Sequence, residues 1–247
     1  RVQGWLNFGR WQALAILVVS IAMGYSWTKL PLLRRSHGGQ SAGGIAALFR
    51  KHGAFALTSV GCLTAFIAIV TGGSGQIIFP DNFGSFYDQQ ALSLMAGRLD
   101  VPADAIANEA FVFAGKSYGY FGPTPALLRL PFAIFDVWLG QLTRVVMIGS
   151  YLAVLLGAYR VLLEVLQMHL GADRPASGWV VLFVLNAGLG TTVFFLGSRA
   201  YVYHEAILVG VAFAVWACWC ALRHLQASEG RWRLGSLLCG MLSVHAR

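Results

Sequence analysis

Ala54-Phe-Ala-Leu-Thr-Ser-Val-Gly-Cys-Leu-Thr-Ala-Phe-Ile-Ala-Ile-Val-Thr-Gly72 carries no charged side chain from end to end. A run of this length matches the about 20 apolar residues that a helix needs to cross the hydrocarbon core of a bilayer. The uncharged stretch continues to Pro80, and the first charge after it is Asp81. Read outward from here, the same pattern recurs. Residues 11–28, 177–198 and 206–222 are uncharged, and residues 145–163 are apolar apart from Arg160. Arg160 sits near the end of its run, where a long side chain can snorkel to water. Each run predicts a spanning helix. The apolar run 234–244 is too short to cross by itself and is expected to be a sixth helix, cut by the end of the chain at Arg247. No cleavable signal peptide is recognisable.

Composition agrees. Of 247 residues, 57% are hydrophobic and only 11% charged, against about 25% charged in soluble domains. A soluble fold this poor in charge would leave large apolar patches in water. The net charge of +8 would suggest nucleic acid in a soluble protein, but no aromatic-interleaved basic patch occurs, and the charges lie between apolar runs. They are read as topology signals, with no nucleic-acid partner. The four cysteines, Cys62, Cys218, Cys220 and Cys239, all lie inside apolar runs. Without zinc-like or disulfide-framework spacing, they are expected to be buried, unreactive thiols.

Positive charge marks the cytoplasmic side of a membrane protein. Lys29, Arg34, Arg35, Arg50 and Lys51 fill one connection, Arg160 and Arg174 flank a second, and Arg223, Arg231 and Arg233 fill a third. The alternating connections hold Arg98, Lys116, Arg129 and Arg199. The loop 73–143 is therefore expected outside, in a plasma (bacterial inner) membrane. It carries most of the acids: Asp81, Asp88, Asp100, Asp104, Glu109 and Asp136.

A connection this long is functional or folded in its own right. Ser85-Phe-Tyr-Asp88 reads as a capping box, opening a helix to about Ala96 with Gly97 as its stop. Ala91, Leu94 and Met95 share its apolar face, with Asp88, Gln89 and Ser93 on the polar one, so it would lie in the membrane interface. Residues 109–121, with Gly115 and Lys116 at their centre, predict a short β-hairpin. Gly122-Pro-Thr-Pro125 breaks it, and a second surface helix runs from Ala126 to about Trp138.

The loop suggests chemistry at Asp81, which follows a span and Pro80 directly. It is either turn chemistry or a catalytic base or metal ligand at the membrane surface. Asp88 is a helix cap or a catalytic acid. Tyr203-His204-Glu205 opens the last full span on the same side. Glu205 and His204 are candidates for a catalytic role or, with Asp81, for ligands of a divalent metal cation; the bland alternative is a helix N-terminus with an acid in its first turn. Arg98, Lys116 and Arg199 could hold a phosphate. Tyr118, Tyr120 and Phe121 are interfacial anchors or stack on a sugar ring. Gly188-Leu-Gly190 is helix packing.

The order of these parts resembles the membrane glycosyltransferases of the GT-C superfold, in the branch with lipid A aminoarabinose transferases and protein mannosyltransferases. The matching residues are Asp81 after a span, Leu94-Met95-Ala-Gly97-Arg-Leu-Asp100 at the end of a surface helix, Val101-Pro102, the hairpin Gly115-Lys-Ser-Tyr118 and Gly122-Pro-Thr-Pro125. The likeness covers about residues 79–135. The chain departs from the family with Asp81-Asn82 in place of Asp-Glu, with a longer spacing to Tyr87, and with no acid after the hairpin tyrosine. Glu205 would have to supply a second acid.

The resemblance implies an all-α polytopic membrane protein, a GT-C-like helical bundle whose long extracytoplasmic loop carries two interfacial helices and a short β-hairpin. Residues 1–52 would be an extra or leader transmembrane helix plus a basic cytoplasmic loop. Residues 53–247 would be the N-terminal part of the transmembrane domain. It implies transfer of a sugar from a polyprenyl-phosphate donor to an extracytoplasmic glycan, lipid or protein acceptor, with membrane lipids as further partners. The alternatives are a transporter or flippase subunit, or a non-catalytic membrane assembly subunit. Transporters place ionisable groups in mid-membrane, whereas here the acids cluster in a loop.

Overall fold

The computed structural model describes residues 45–106, 109–170 and 175–246, with the backbone alone at 45–51 and 170. The expected span 11–28, and Lys29, Arg34 and Arg35 after it, lie outside the described residues. The described part is mostly helical. In chain order it has α1 (Ile45–Val70), α2 (Phe86–Met95), β1 (Phe111–Phe113), β2 (Lys116–Tyr118), α3 (Thr124–Ile134), α4 (Thr143–Leu170), α5 (Ser177–Leu189), α6 (Thr192–Phe195), α7 (Val202–Ala227) and α8 (Gly230–Val244).

Three helical stretches are long and apolar enough to cross a membrane: His52–Val70 of α1, Thr143–His169 of α4 and Val202–Ala227 of α7. A fourth crossing exists if Ser177–Leu189 and Thr192–Ser198 count as one span. The uninterrupted run expected over 177–198 is corrected here: the two pieces meet at a bend of 45°. Gly190 ends the first piece. Thr191 is extended (φ −115°, ψ 167°), in the backbone conformation that precedes a new helix. α8 runs back along α7, as Ser236 Oγ donates to Ala217 O (3.1 Å) and Ser243 Oγ to Gly210 O (2.8 Å).

Lipid tails are as apolar as leucine, so helices in a membrane associate through close fit and hydrogen bonds. The core among the long helices shows both. Phe66 stacks on Tyr151 with ring centroids 4.1 Å apart, and Phe55 stacks on Tyr159 at 4.1 Å. The packing role expected for Gly188 holds: its backbone lies against α1 and α4, Tyr151 Oη donates to its carbonyl (3.0 Å), and an added Cβ would come within 3.0 Å of Cys62 Sγ. Trp216 Nε1 donates to Ala153 O at 3.0 Å. The cysteines divide: Cys62 and Cys220 are buried, Cys239 is half-buried and Cys218 is exposed. The expectation of burial therefore fails at Cys218, on a face of α7 without a described neighbour to cover it.

The loop between α1 and α4 folds on itself. Its hairpin pairs Phe111 with Tyr118 and Phe113 with Lys116, leaving Ala114 and Gly115 to turn the chain with φ of 49° and 74°. This is the left-handed geometry that two-residue hairpin loops favour. Gly97 stops the region after α2 with φ 69°. The second loop helix is shorter than expected, ending at Ile134, since Asp136 and Trp138 both take positive φ.

A second core of Phe86, Tyr87, Ala91, Ile106, Phe121, Ala126 and Ala133 closes against Val202 and Ala206 of α7. The far end of α8 meets the same unit, because the Thr124 amide donates to His245 O (3.1 Å) and Thr124 Oγ1 to Leu242 O (2.8 Å). The first turn of α3 thereby satisfies carbonyls that the end of α8 leaves unpaired. This docking corrects the picture of α2 as a solitary amphipathic helix. Asp88, Gln90 and Ser93 are buried and Met95 is exposed, because α2 faces α3 and α7.

A buried arginine triad and a rim ion pair

The loop is fixed to the long helices by two arginines. Arg129, in the middle of α3, is fully buried, as are the side chains of Asp88 on α2 and Glu205 in the first turn of α7. Its Nη1 donates to Asp88 Oδ2 (2.9 Å) and to Gly84 O (2.8 Å). Its Nη2 donates to both Glu205 oxygens (2.7 and 2.6 Å) and to Thr143 Oγ1 (3.1 Å). One guanidinium thus joins the loop start, both loop helices and the heads of α4 and α7. Only a planar fork of donors can meet partners in so many directions. Its carbon lies 5.5 Å from the centre of the Tyr87 ring, whose hydroxyl donates to Val202 O at 3.2 Å. Burial raises the Tyr87 hydroxyl well above the ordinary tyrosine range, so it keeps the proton it donates.

Asp88 corrects its sequence reading as a helix cap. Ser85 makes no side-chain cap bond, and Asp88 Oδ2 accepts the Gly140 amide (2.7 Å) together with Arg129. The capping box fails because its acid is drawn into the interior by Arg129. Burial raises the Asp88 carboxyl above its ordinary value, and Arg129 and the Gly140 amide offset only part of that rise. Asp88 Oδ1 and Arg129 Nε have no partner among the described residues.

Asp81 belongs to a second pair. Arg144, at the head of α4, grips it with Nε (3.1 Å to Oδ1, 2.9 Å to Oδ2) and Nη2 (2.8 Å to Oδ1), while its Nη1 donates to Gln76 O (2.7 Å). Phe79 covers the guanidinium, 4.2 Å from its ring centre. The Asp81 and Arg144 side chains keep 9% and 10% exposure, in contrast to the sealed triad. The structure therefore brings Glu205 together with Asp88 and holds Asp81 on a different arginine.

A divalent cation does not fit these residues. Among the described residues no three His, Cys, Asp or Glu side chains converge as a metal site requires. Both oxygens of Glu205 and both of Asp81 already face guanidinium groups, so positive charge stands where a metal would. His204 turns away, with Nδ1 3.0 Å from Arg199 O.

The loop cations are also occupied. Arg98 and Lys116 both pair with Asp100 (3.2 and 3.6 Å) and stay more than half exposed, in solvated pairs of the kind worth about 0–1 kcal/mol. Arg199 is exposed. Tyr118 lies half-buried in β2. Tyr120 is 57% exposed and bonds to Tyr203. Arg129 and Arg144 were not among the sequence candidates. The available signal was a lone charge inside the apolar stretch Leu127-Leu128-Arg129-Leu130 and another at the first turn of a span. An unpaired charge is too costly in either place to stand without a partner.

Beside these pairs runs an apolar groove of about 480 Å³, lined by Leu128 of α3, Val146, Gly149 and Ala153 of α4, and Phe213 and Trp216 of α7. Compared with models of protein families, with curated proteins and with solved structures, the chain gives no match.

Proposed function

We propose that the chain belongs to a membrane glycosyltransferase of GT-C type, moving a sugar from a polyprenyl-phosphate donor to an acceptor on the side of the folded loop. The observation that carries the reading is the placing of Asp81. It is a carboxylate eleven residues beyond α1 that keeps 9% of its side-chain surface, fixed by Arg144 at the head of α4, and the apolar groove begins two residues further along α4 at Val146. Such a groove suits the isoprenoid tail of a donor, and a carboxylate at its head suits an acceptor hydroxyl. A carboxylate has about four lone-pair directions, and Arg144 does not use all of them.

In the proposed step the acceptor oxygen attacks the anomeric carbon as the carbon–oxygen bond to phosphate breaks. The hydroxyl proton passes to Asp81, and the polyprenyl phosphate leaves with the bonding pair. Arg144 acts as a positioning residue, and Asp88 and Glu205, sealed on Arg129, keep the loop in place. The second reading, a non-catalytic assembly subunit, is favoured by one observation: each of the acids Asp81, Asp88 and Glu205 is paired with an arginine. Asp81→Asn in the full-length protein separates the two. Loss of transfer in a variant that still folds, with a smaller fall in Tm than Arg129→Met gives, supports the enzyme, whereas near-normal transfer rules out Asp81 as the base.

A further inference from the structure

Five rings from three separate segments converge on the loop side of α7: Phe83, Tyr120 and Phe121, and Tyr201 and Tyr203. Tyr201 stacks on Tyr203 with centroids 5.3 Å apart and planes at 18°. Phe121 meets Tyr203 edge-on at 4.9 Å and tilts against Tyr120 at 4.3 Å, while Phe83 closes on Tyr201 at 5.5 Å. At the polar edge, Tyr203 Oη donates to Glu109 Oε2 and Tyr120 Oη donates to Tyr203 Oη at 2.5 Å. Tyrosines that anchor a protein at a bilayer surface need only one polar end in water. Here the Tyr120 and Tyr203 hydroxyls are spent on one another and on a carboxylate, which fixes their rings against each other.

The hydrogen-bond count decides what the set can receive. The phenol hydrogens of Tyr120 and Tyr203 are both used internally, so the edge at Tyr120 offers acceptors outward: the Tyr120 oxygen and Glu109 Oε1, which no hydrogen bond from a described residue reaches. Its open apolar surface is the Tyr120 ring, with the residue 57% exposed. A ligand must therefore combine a flat C–H face with several hydroxyl donors. A cage for a quaternary ammonium group needs rings facing a common point. Tyr201 and Tyr203 instead cover each other's faces, which leaves a platform. We propose that Tyr120, Tyr203 and Glu109 form a pyranose-binding site, with the sugar ring lying on Tyr120 and its hydroxyls donating to Glu109. This goes beyond the transfer reading, because binding here needs neither Asp81 nor a lipid-linked donor.

Saturation-transfer NMR on the full-length protein in nanodiscs, with methyl glucoside, galactoside and mannoside as probes and choline chloride as a control, tests it without any donor present. At least one pyranoside should show ring-proton transfer. Tyr120→Ala should weaken that binding about tenfold, the factor that 1.4 kcal/mol represents, and Glu109→Gln should weaken it as well. Tyr120→Phe, which keeps the face, should retain more binding than Tyr120→Ala. Absence of transfer to every pyranoside, binding that survives both Tyr120→Ala and Glu109→Gln, or choline binding in place of sugar would each overturn the proposal.

Discussion

Arg129→Met removes the one cation shared by two sealed carboxylates. Met nearly matches the length of the arginine stem, so the main loss is electrostatic. The guanidinium bonds to Asp88 and to both oxygens of Glu205 disappear, and Gly84 O and Thr143 Oγ1 lose their donor as well. Breaking a buried ion pair by deleting one partner costs about 3–5 kcal/mol, because the other charge is left uncompensated. In a chain of this size each kcal/mol moves Tm by about 2–4 °C, so a fall of about 6–20 °C is expected. Tryptophan fluorescence during heating in nanodiscs measures it. The companion variant Asp88→Asn/Arg129→Met/Glu205→Gln removes all three charges together and should recover much of the loss, since replacing a whole buried ion cluster by neutral groups is often nearly neutral. Arg129→Lys should fall between, as one ammonium cannot fork to Asp88 and Glu205 at once. The reasoning fails if Arg129→Met melts within about 2 °C of the parent, or if the triple variant is less stable than the single.

Three further outcomes follow from the same geometry. Asp88 faces Arg129, Glu205 and the Gly140 amide, and its folded-state carboxyl is raised above the ordinary value of about 3.9. The folded state then binds more protons, so the stability due to Asp88 is full below that value and is lost as pH rises through the folded one. Asp88→Asn should flatten this decline in a Tm-against-pH series, and an unchanged slope would show that Asp88 is not its source. Gly188→Leu places a side chain against Tyr151 Oη and Cys62 Sγ, 2.9 and 3.0 Å from the first added carbon. It should cost about 1–3 kcal/mol, read as a lower Tm. For topology, cysteines at Lys116 and Arg231 in a background lacking Cys62, Cys218, Cys220 and Cys239 should react oppositely with an impermeant thiol reagent in intact cells. Position 116 should label and 231 should not, and the reverse pattern would invert the orientation read from the charges.

The elements that local chemistry specifies were legible in the sequence. Apolar runs marked α1, α4 and α7, Gly115 marked the hairpin turn, and Gly97 marked the stop after α2. What escaped was pairing over distance. Asp88 and Arg129 lie 41 residues apart, and Arg129 and Glu205 lie 76 apart. Each acid had a sufficient local explanation, as a cap or a first-turn charge, so nothing nearby in sequence demanded an arginine. The more reliable cue was cost: Arg129 lies among leucines in a helix too short to carry it to water on its own. The bend at Gly190 was hidden for a different reason. The run 177–198 contains no charge or proline to interrupt it, and Thr191 and Thr192 fit a span as well as a helix restart.

Burial separates what these acids can do. Asp88, Arg129 and Glu205 are closed to solvent on every side, so no solute reaches them while the loop is docked. Their chemistry is spent on holding α2, α3, α4 and α7 together. Arg144 grips Asp81 with a guanidinium group of its own, and that pair retains about a tenth of its side-chain surface. Its arginine sits one residue after Thr143, which accepts from Arg129. The two clusters are therefore joined through the first turn of α4. A disturbance of the sealed triad can reach Asp81 through that turn, or through Gly84, whose carbonyl accepts from Arg129 and whose amide donates to Asp81 O, whereas loss of the Asp81 carboxylate leaves the triad's bonds intact. The expected asymmetry is that triad variants lower stability and function together, while Asp81→Asn, which leaves Arg144 at a site still open to water, removes function at a smaller cost in stability.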